Sequence, residues 1–402
     1  MFVEKKLNKS GSTSVRIMQK VHGKRKCIKV MGCSCDADEV AMLIKRGNRW
    51  VEERQAGLPL FELDDEAVAY DKVLAGLRQS QLRLIGPELV YGTLFDRIGY
   101  DKVRTANNAL FRALVVTRPY HPGSKLRTAE YMERFMHQSY SPDAIYRFLD
   151  ELCARGKTAE EIREAADESI GVKWQVEQIA FEHTKAVMGG RVTVAFYDTS
   201  TLYFESQEDD VRLPGYSKDG KNENPQVVLG LLVAAGGNPI GYEIHKGNQY
   251  EGTTLLPIVR KLEKRFCLSH PIIVADAGLL SKKKVVENYR NLSFIERAFR
   301  MNKTDLAIRP IYHRLFNRIE AHVCICFTAY TVLLELERAL AKTADKKNKK
   351  AGITIYRAKF LAESLYNIEY VNPYNGKKMS VMLRTDYDEE VTKLLDAIGV
   401  KP

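Results

Sequence analysis

The apolar and polar positions of this chain change period several times, and each change predicts an element. SVRIMQKVHGKRKCIKVMG, from Ser14 to Gly32, alternates apolar and polar about a central His22-Gly23. That pattern predicts a β-hairpin whose tip is made basic by Lys20, Lys24, Arg25 and Lys26. The period turns helical through DADEVAMLIKRGNRWVEERQAG, started by Asp36 or Asp38 and stopped by Gly57. GPELVYGTLFDRIGYDKV, NNALFRALVVTRPY and SPDAIYRFLDELCARG then show apolar residues at i, i+3 and i+4, which predicts a helical module over 63–190. Ser141 followed by Pro142 is a start signal for one of its helices, and Pro119, Pro122 and Gly123 break its middle.

Two short continuous apolar runs follow, and each reads as a buried central strand bearing a carboxylate at its C-terminal end. RVTVAFYDTSTLYFE, from Arg191 to Glu205, carries Asp198, and PIIVADAGLLS, from Pro271 to Ser281, reaches Asp276. Between them, Val227–Ala234 and Ile240–His245 are joined by Gly236-Gly237-Asn238, a hairpin turn signal. With the strand ending at Asp198 this predicts a three-stranded antiparallel meander. TTLLPIVRKLEKRF predicts the crossover helix to the Asp276 strand, and Gly215 to Pro225, with Lys218 and Lys221, is a polar loop. The apolar run Ala321–Leu334 is short for a bilayer and interrupted by His322, Thr328 and Thr331, so it reads as a buried helix. AKTADKKNKKAG reads as a basic linker to a small αβ tail. The predicted class is α/β (α+β), divided as 1–62, 63–190, 191–340 and 341–402.

The candidate chemistry gathers on YRNLSFIERAFRMNK, Tyr289 to Lys303, read as one amphipathic helix. Glu296, Arg300 and Lys303 stand at i, i+4 and i+7, and Tyr289 and Leu292 extend the same face toward the N-terminus. An acid beside fixed cations suits a site that holds a metal ion next to a phosphodiester. A solvated, salt-bridged helix face is the alternative. A lone Asp after a strand is usually a cap or turn residue, but two of them at strand ends point to the sheet edge where α/β proteins bind ligands.

Tyr289, Glu296 and Lys303 also fall in register with the signature Tyr-x2-Arg-x3-Glu-x6-Lys of bacterial insertion-sequence transposases with an Asp-Asp-Glu triad. The Arg position is Leu292 here, with Arg290 two residues earlier. FYDTSTLYFES, GYSKDGKNENPQVVLGLLV, HKGNQYEGTTL, VADAGLLS and IERAFRMNKTDLAIRPIYHRLFNRIEAHVCICF also resemble blocks of this group. The resemblance implies a ribonuclease-H-like catalytic core, which the predicted strand order also matches. It implies Asp198, Asp276 and Glu296 as catalytic residues and ligands of Mg²⁺, with Mn²⁺ tolerated, Asp198 bridging the two ions. Water would attack at the transposon end, and the freed 3′-OH would then attack target DNA. Tyr289, Arg300 and Lys303 would grip phosphates, with Lys218 and Lys221 as further DNA-binding candidates. The implied partner is double-stranded DNA, bound by a homodimer, in the bacterial cytoplasm at the nucleoid.

One departure from the group changes the expected outcome. Asp276 and Glu296 are 296 − 276 = 20 positions apart, where the group has a helix, a strand and usually an insertion domain. If Ser281–Lys303 is one helix, Glu296 lies fifteen residues along it, which is about 22 Å of axial travel. Only a sharp break within Asn288–Ser293 would return Glu296 to Asp276. The expectation is therefore a displaced Glu296 and weak or absent strand transfer. A truncated relative that binds DNA or full-length enzyme without cutting is the alternative function.

Composition narrows the remaining classes. The net charge is +11 and the isoelectric point about 9.1, which favours a polyanionic partner and salt-sensitive binding. No GxxxxGK[ST], GxSxG, HExxH or GxGxxG motif occurs, so the signatures of nucleotide-driven motors, serine hydrolases, zincins and dinucleotide enzymes are missing. The seven cysteines lack zinc spacing, and Cys324 and Cys326 read as core thiols. The N-terminus carries no signal-peptide pattern, so no membrane association is expected.

Overall fold

The computed structural model describes the chain except residues 22–23, 56–74, 154–170, 205–224, 249–253, 255–257, 259, 261–264, 267–271, 276–284, 310, 312, 314, 345–351, 373–375 and 401–402. The described residues form a mixed α/β protein of two compact units: Met1–Arg83 with Tyr366–Leu383, and Leu84–Leu365 with Arg384–Pro402.

In the first unit, β2 (Thr13–Val21) and β3 (Lys24–Ser34) pair antiparallel where the alternating pattern places them. The predicted tip residues His22 and Gly23 lie outside the described residues. A third strand, β1 (Phe2–Leu7), pairs with β2. Its sequence FVEKKL is too polar to announce itself. Helix α1 (Ala37–Gln55) follows, and Asp36 starts it by accepting from the amide of Asp38 at 2.8 Å. Trp50 and Val51 of α1 pack with Ile17 of β2 into a small core. A second sheet, in the order β10-β9-β4, joins β4 (Leu82–Leu84) to the hairpin β9 (Tyr366–Val371) and β10 (Lys378–Met382). The tail is thus tied to a strand nearly three hundred positions earlier, as the bond from Gln81 to the Glu369 carbonyl at 2.9 Å also shows.

The second unit is built on one long helix. Among its described helices are α2 (Thr93–Ile98), α3 (Asn108–Thr117), α4 (Lys125–Met136), α5 (Pro142–Leu152) and α6 (Val172–Val187). Later in the chain come α7 (Val285–Arg300), α8 (Phe316–Leu340), α9 (Ile355–Glu363) and α10 (Asp388–Ala397). Ser141 caps α5 through the Ala144 amide at 3.1 Å, with Pro142 in the first turn. The helix from Phe316 is long and apolar enough to cross a membrane, but 94% of that apolar window is buried inside the protein. Two of its threonines are satisfied within the protein. Thr328 and Thr331 donate to the carbonyls one turn back, at 2.8 and 3.0 Å, and Tyr100 donates to Thr331 at 3.0 Å. Cys324 and Cys326 are buried free thiols on this helix.

Beside α8 lies a four-stranded sheet in the order β7-β6-β5-β8. The strands are β5 (Val194–Tyr203), β6 (Gln226–Ala234), β7 (Pro239–Lys246) and β8 (Ile272–Ala275). β5, β6 and β7 form the predicted antiparallel meander, and β8 runs parallel to β5. Gly236 and Gly237 take φ of +74° and +81° in the β6–β7 turn, a conformation that L side chains rarely adopt. Alternation divides the sheet residues between two faces. Ala195 and Tyr197 pack with Phe181, Ile258 and Phe266 on one face. Phe196, Leu231 and Tyr242 join the large core with α7 and α8 on the other. Most of the predicted crossover helix lies outside the described residues.

Candidate functional site

Asp198 is half-buried in the interior of β5 and lies opposite Leu231 of β6. The sequence reading ended the strand at this residue; the ladder instead continues through Thr199–Thr201 to Tyr203, because β-branched residues suit a strand. The carboxylate accepts from the Thr199 amide at 2.7 Å. Period-two alternation puts Asp198 on the face of Phe196, which stands edge-on to Phe294 of α7 with ring centroids 6.0 Å apart. The β5–β8 register runs Val194 with Ile272 through Tyr197 with Ala275, so it stops one residue short of Asp198 on β5. Asp276 follows Ala275 in sequence but lies outside the described residues, as do Lys218 and Lys221.

Helix α7 carries Glu296 and Arg300, and its backbone includes Tyr289. It is continuous from Val285 to Arg300, so Asn291 and Ser293 do not break it. The inward row is Ile295, Ala298 and Phe299, all buried, while Glu296 and Arg300 are exposed. The α-helical turn ends at Arg300, and a π-helical turn, Met301–Asp305, holds Lys303. A wider turn rotates less per residue, so Lys303 leaves the simple i+7 line with Glu296. Arg297 forms an ion pair with Glu337 of α8.

The contact at Phe294 shows where α7 meets the sheet. A Cβ on Gly237 would stand 3.4 Å from the Phe294 carbonyl. Gly237 belongs to the turn after Ala234, which pairs with Ala195 at the beginning of β5. Asp198 is three residues further along β5, about 10 Å away at strand rise. The structure therefore brings α7 against the sheet at Phe294, and Glu296, two residues further along the helix, is exposed. Among the described residues no group of three His, Cys, Asp or Glu side chains could hold a metal ion. Of the three predicted ligands, Asp198 is half-buried on a strand, Glu296 is exposed on a helix, and Asp276 lies outside the described residues.

A different cluster, not predicted from the sequence, is assembled in the second unit. Arg118, Lys125, Arg127, Arg309, His313 and His322 line a cavity of about 370 Å³, and no carboxylate is among its described lining residues. Lys125 and Arg118 are 4% and 5% exposed, and His313 and His322 are similarly buried. Arg118 directs its guanidinium to backbone carbonyls: Leu306 at 2.7 Å, Gly123 at 3.3 Å, and Ala307. Ala307 has a left-handed φ of 42°, a strained setting for a residue with a Cβ. Burial, reinforced by the Arg118 charge, pulls the Lys125 amine down to about 7. Burial and the surrounding cations push His313 down to about 3 and His322 well below the usual histidine range. Asp150 opposes this at His313, but its carboxylate is already held by both arms of Arg318, at 2.5 and 2.7 Å. The one sequence signal for this site was Pro119, Pro122 and Gly123 leading into a helix capped by Ser124, whose side chain accepts from the Arg127 amide. Compared with family models, curated proteins and solved structures, the chain matches none of them.

Proposed function

We propose that this chain is a DNA transposase of the Asp-Asp-Glu kind that binds the ends of an insertion sequence, and that its third acid stands outside the cutting site. The sequence blocks around Asp198, Asp276 and Glu296 support the family reading. So does the sheet: three antiparallel strands with a fourth parallel to the first, in the order β7-β6-β5-β8, is the arrangement with which a ribonuclease-H-like core begins. The net charge of +11 supports double-stranded DNA as the partner and the bacterial nucleoid as the location. The observation that supports the second clause is the unbroken helix α7, on which Glu296 is exposed, together with the 20-position interval from Asp276.

One observation favours retained chemistry. The β5–β8 register ends at Tyr197 with Ala275, one residue before Asp198 on β5 and one residue in sequence before Asp276. In that reading a homodimer formed on DNA would cut with Mg²⁺, or Mn²⁺, only after Glu296 was brought in by a rearrangement of α7.

The two parts are tested separately. Duplex binding is measured by fluorescence anisotropy at several salt concentrations. A log–log slope that is steep, and that falls by roughly 0.9 in Lys303→Ala, supports phosphate binding through that residue. An affinity unchanged between low and moderate salt refutes the DNA reading. Cutting is tested with Mg²⁺ on end-bearing duplexes.

A further inference from the structure

The cavity lined by Arg118, Lys125 and His322 holds buried cations with no carboxylate among its described lining residues. A buried ammonium is costly to leave uncompensated, and proteins that keep one normally pair it. Lys125 is 4% exposed and makes no hydrogen bond or ion pair with the described residues, and Nδ1 of His322, itself 5% exposed, is buried with no partner among them. The other imidazole nitrogen of His322 meets the Ile308 carbonyl at 3.0 Å, which fixes the ring with Nδ1 left over. The twelve-residue helix α4 begins at this cavity, with its cap Ser124 and first residue Lys125 both in the lining. Its positive dipole end adds to the field there. Arg127, exposed, and Arg309, half-buried, complete the basic lining. Arg309 also stands over the Tyr203 ring at 5.6 Å, which places this side of the cavity at the C-terminal end of β5.

We infer that this cavity is a binding site for a phosphate monoester or inorganic phosphate group. Its fixed cations supply the charge for the P–O⁻ oxygens, and Nδ1 of His322 accepts from a P–OH or, once protonated, donates to P–O⁻. Chloride offers no P–OH donor and only a single charge. The volume of about 370 Å³ is ample for a phosphate and its ester carbon. Arg118 acts here through the backbone: its bonds to the Gly123, Leu306 and Ala307 carbonyls tie the loop before α4 to the segment after the π-helical turn, and so hold the cavity open. The site is separate from Asp198, and the inference stands whether or not the chain cuts DNA.

The test uses the full chain and four probes: sodium phosphate, sodium chloride at matched ionic strength, and one short oligonucleotide with either a 5′-phosphate or a 5′-hydroxyl. Thermal unfolding and isothermal titration are read for the wild type and for Lys125→Met. The expected result is a rise in melting temperature with phosphate that chloride does not reproduce, and its loss in Lys125→Met. Lys125→Met removes a buried unpaired charge, so it should fold at least as stably as the wild type; His322→Asn gives an independent check through the other buried group. Stabilisation by inorganic phosphate assigns the site to a free anion. Stabilisation only by the 5′-phosphorylated strand, above its 5′-hydroxyl twin, assigns it to a nucleic-acid end. No response to either form of phosphate, or a response that survives both substitutions, overturns the inference.

Discussion

Replacing Lys125 by Met should make the protein more stable, and more so at low pH. Lys125 is the first residue of α4, almost wholly buried, and its neighbours Arg118, His313 and His322 carry positive or potentially positive charge. Burial brings its amine from the ordinary 10.5 to about 7. The difference, 10.5 − 7 = 3.5 pH units, corresponds to a ceiling of roughly 5 kcal/mol at about 1.4 kcal/mol per unit. Relaxation and entering water reduce this, so a gain of about 2 kcal/mol is expected. The sign follows from proton counting. Between about pH 7 and 10.5 the unfolded chain holds a proton on Lys125 that the folded chain has released. Wild-type stability therefore gains from Lys125 as pH rises through that window, and the penalty is fully present below about 7. Methionine has similar length, no charge and enough flexibility to fill the site. Urea unfolding of both proteins at pH 6 and pH 9, without phosphate, measures the effect. The reasoning requires the stability difference in favour of Lys125→Met to be larger at pH 6. A difference that is independent of pH, or a variant less stable than the wild type at pH 6, refutes it.

Gly86→Ala should destabilise the second unit by about 3 kcal/mol in chemical denaturation, because the new Cβ would stand 1.8 Å from the Ala362 carbonyl of α9, and backbone cannot rotate away. Gly230→Ala should cost about 2 kcal/mol, since its Cβ would meet the Tyr197 hydroxyl at 2.4 Å in the middle of β6 and disturb the Tyr197–Thr254 bond; calorimetry of the variant checks this. Ser141→Ala removes the cap of α5 and should lower stability by about 1 kcal/mol in urea unfolding.

The parts that were legible in the sequence are those specified locally. Alternation fixed β2 and β3, the Gly236-Gly237 pair fixed the β6–β7 turn, and Asp36 and Ser141 fixed two helix starts. Central strands showed as continuous apolar runs because both faces of that sheet are covered. The misses are non-local or depend on phase. β4 is three residues long and acquires meaning only by pairing with a hairpin near the other end of the chain. The π-helical turn after Arg300 shifts Lys303 out of an alignment that assumes 3.6 residues per turn. Asp198 was placed at a strand end because an acid inside a strand is unfavourable on composition, while the ladder beyond it is set by pairing with β6. The cationic cavity was invisible because its residues come from three distant segments, near 118–127, at Tyr146 and near 307–322, each of which alone reads as an ordinary basic stretch. For Glu296 the short interval in sequence raised the question, and α7 runs unbroken from Val285 to Arg300 with Glu296 exposed.

The central claim is that this chain binds DNA as a transposase does while Glu296 stands outside any cutting site. It is tested most directly by incubating the protein with Mg²⁺ and duplexes carrying the sequences that flank its own reading frame, beside Glu296→Gln, with binding and strand cleavage read from the same samples. The account predicts salt-sensitive binding by both proteins and no cleavage that depends on Glu296. Robust cutting by the wild type that Glu296→Gln abolishes, or no DNA binding by either protein, contradicts it.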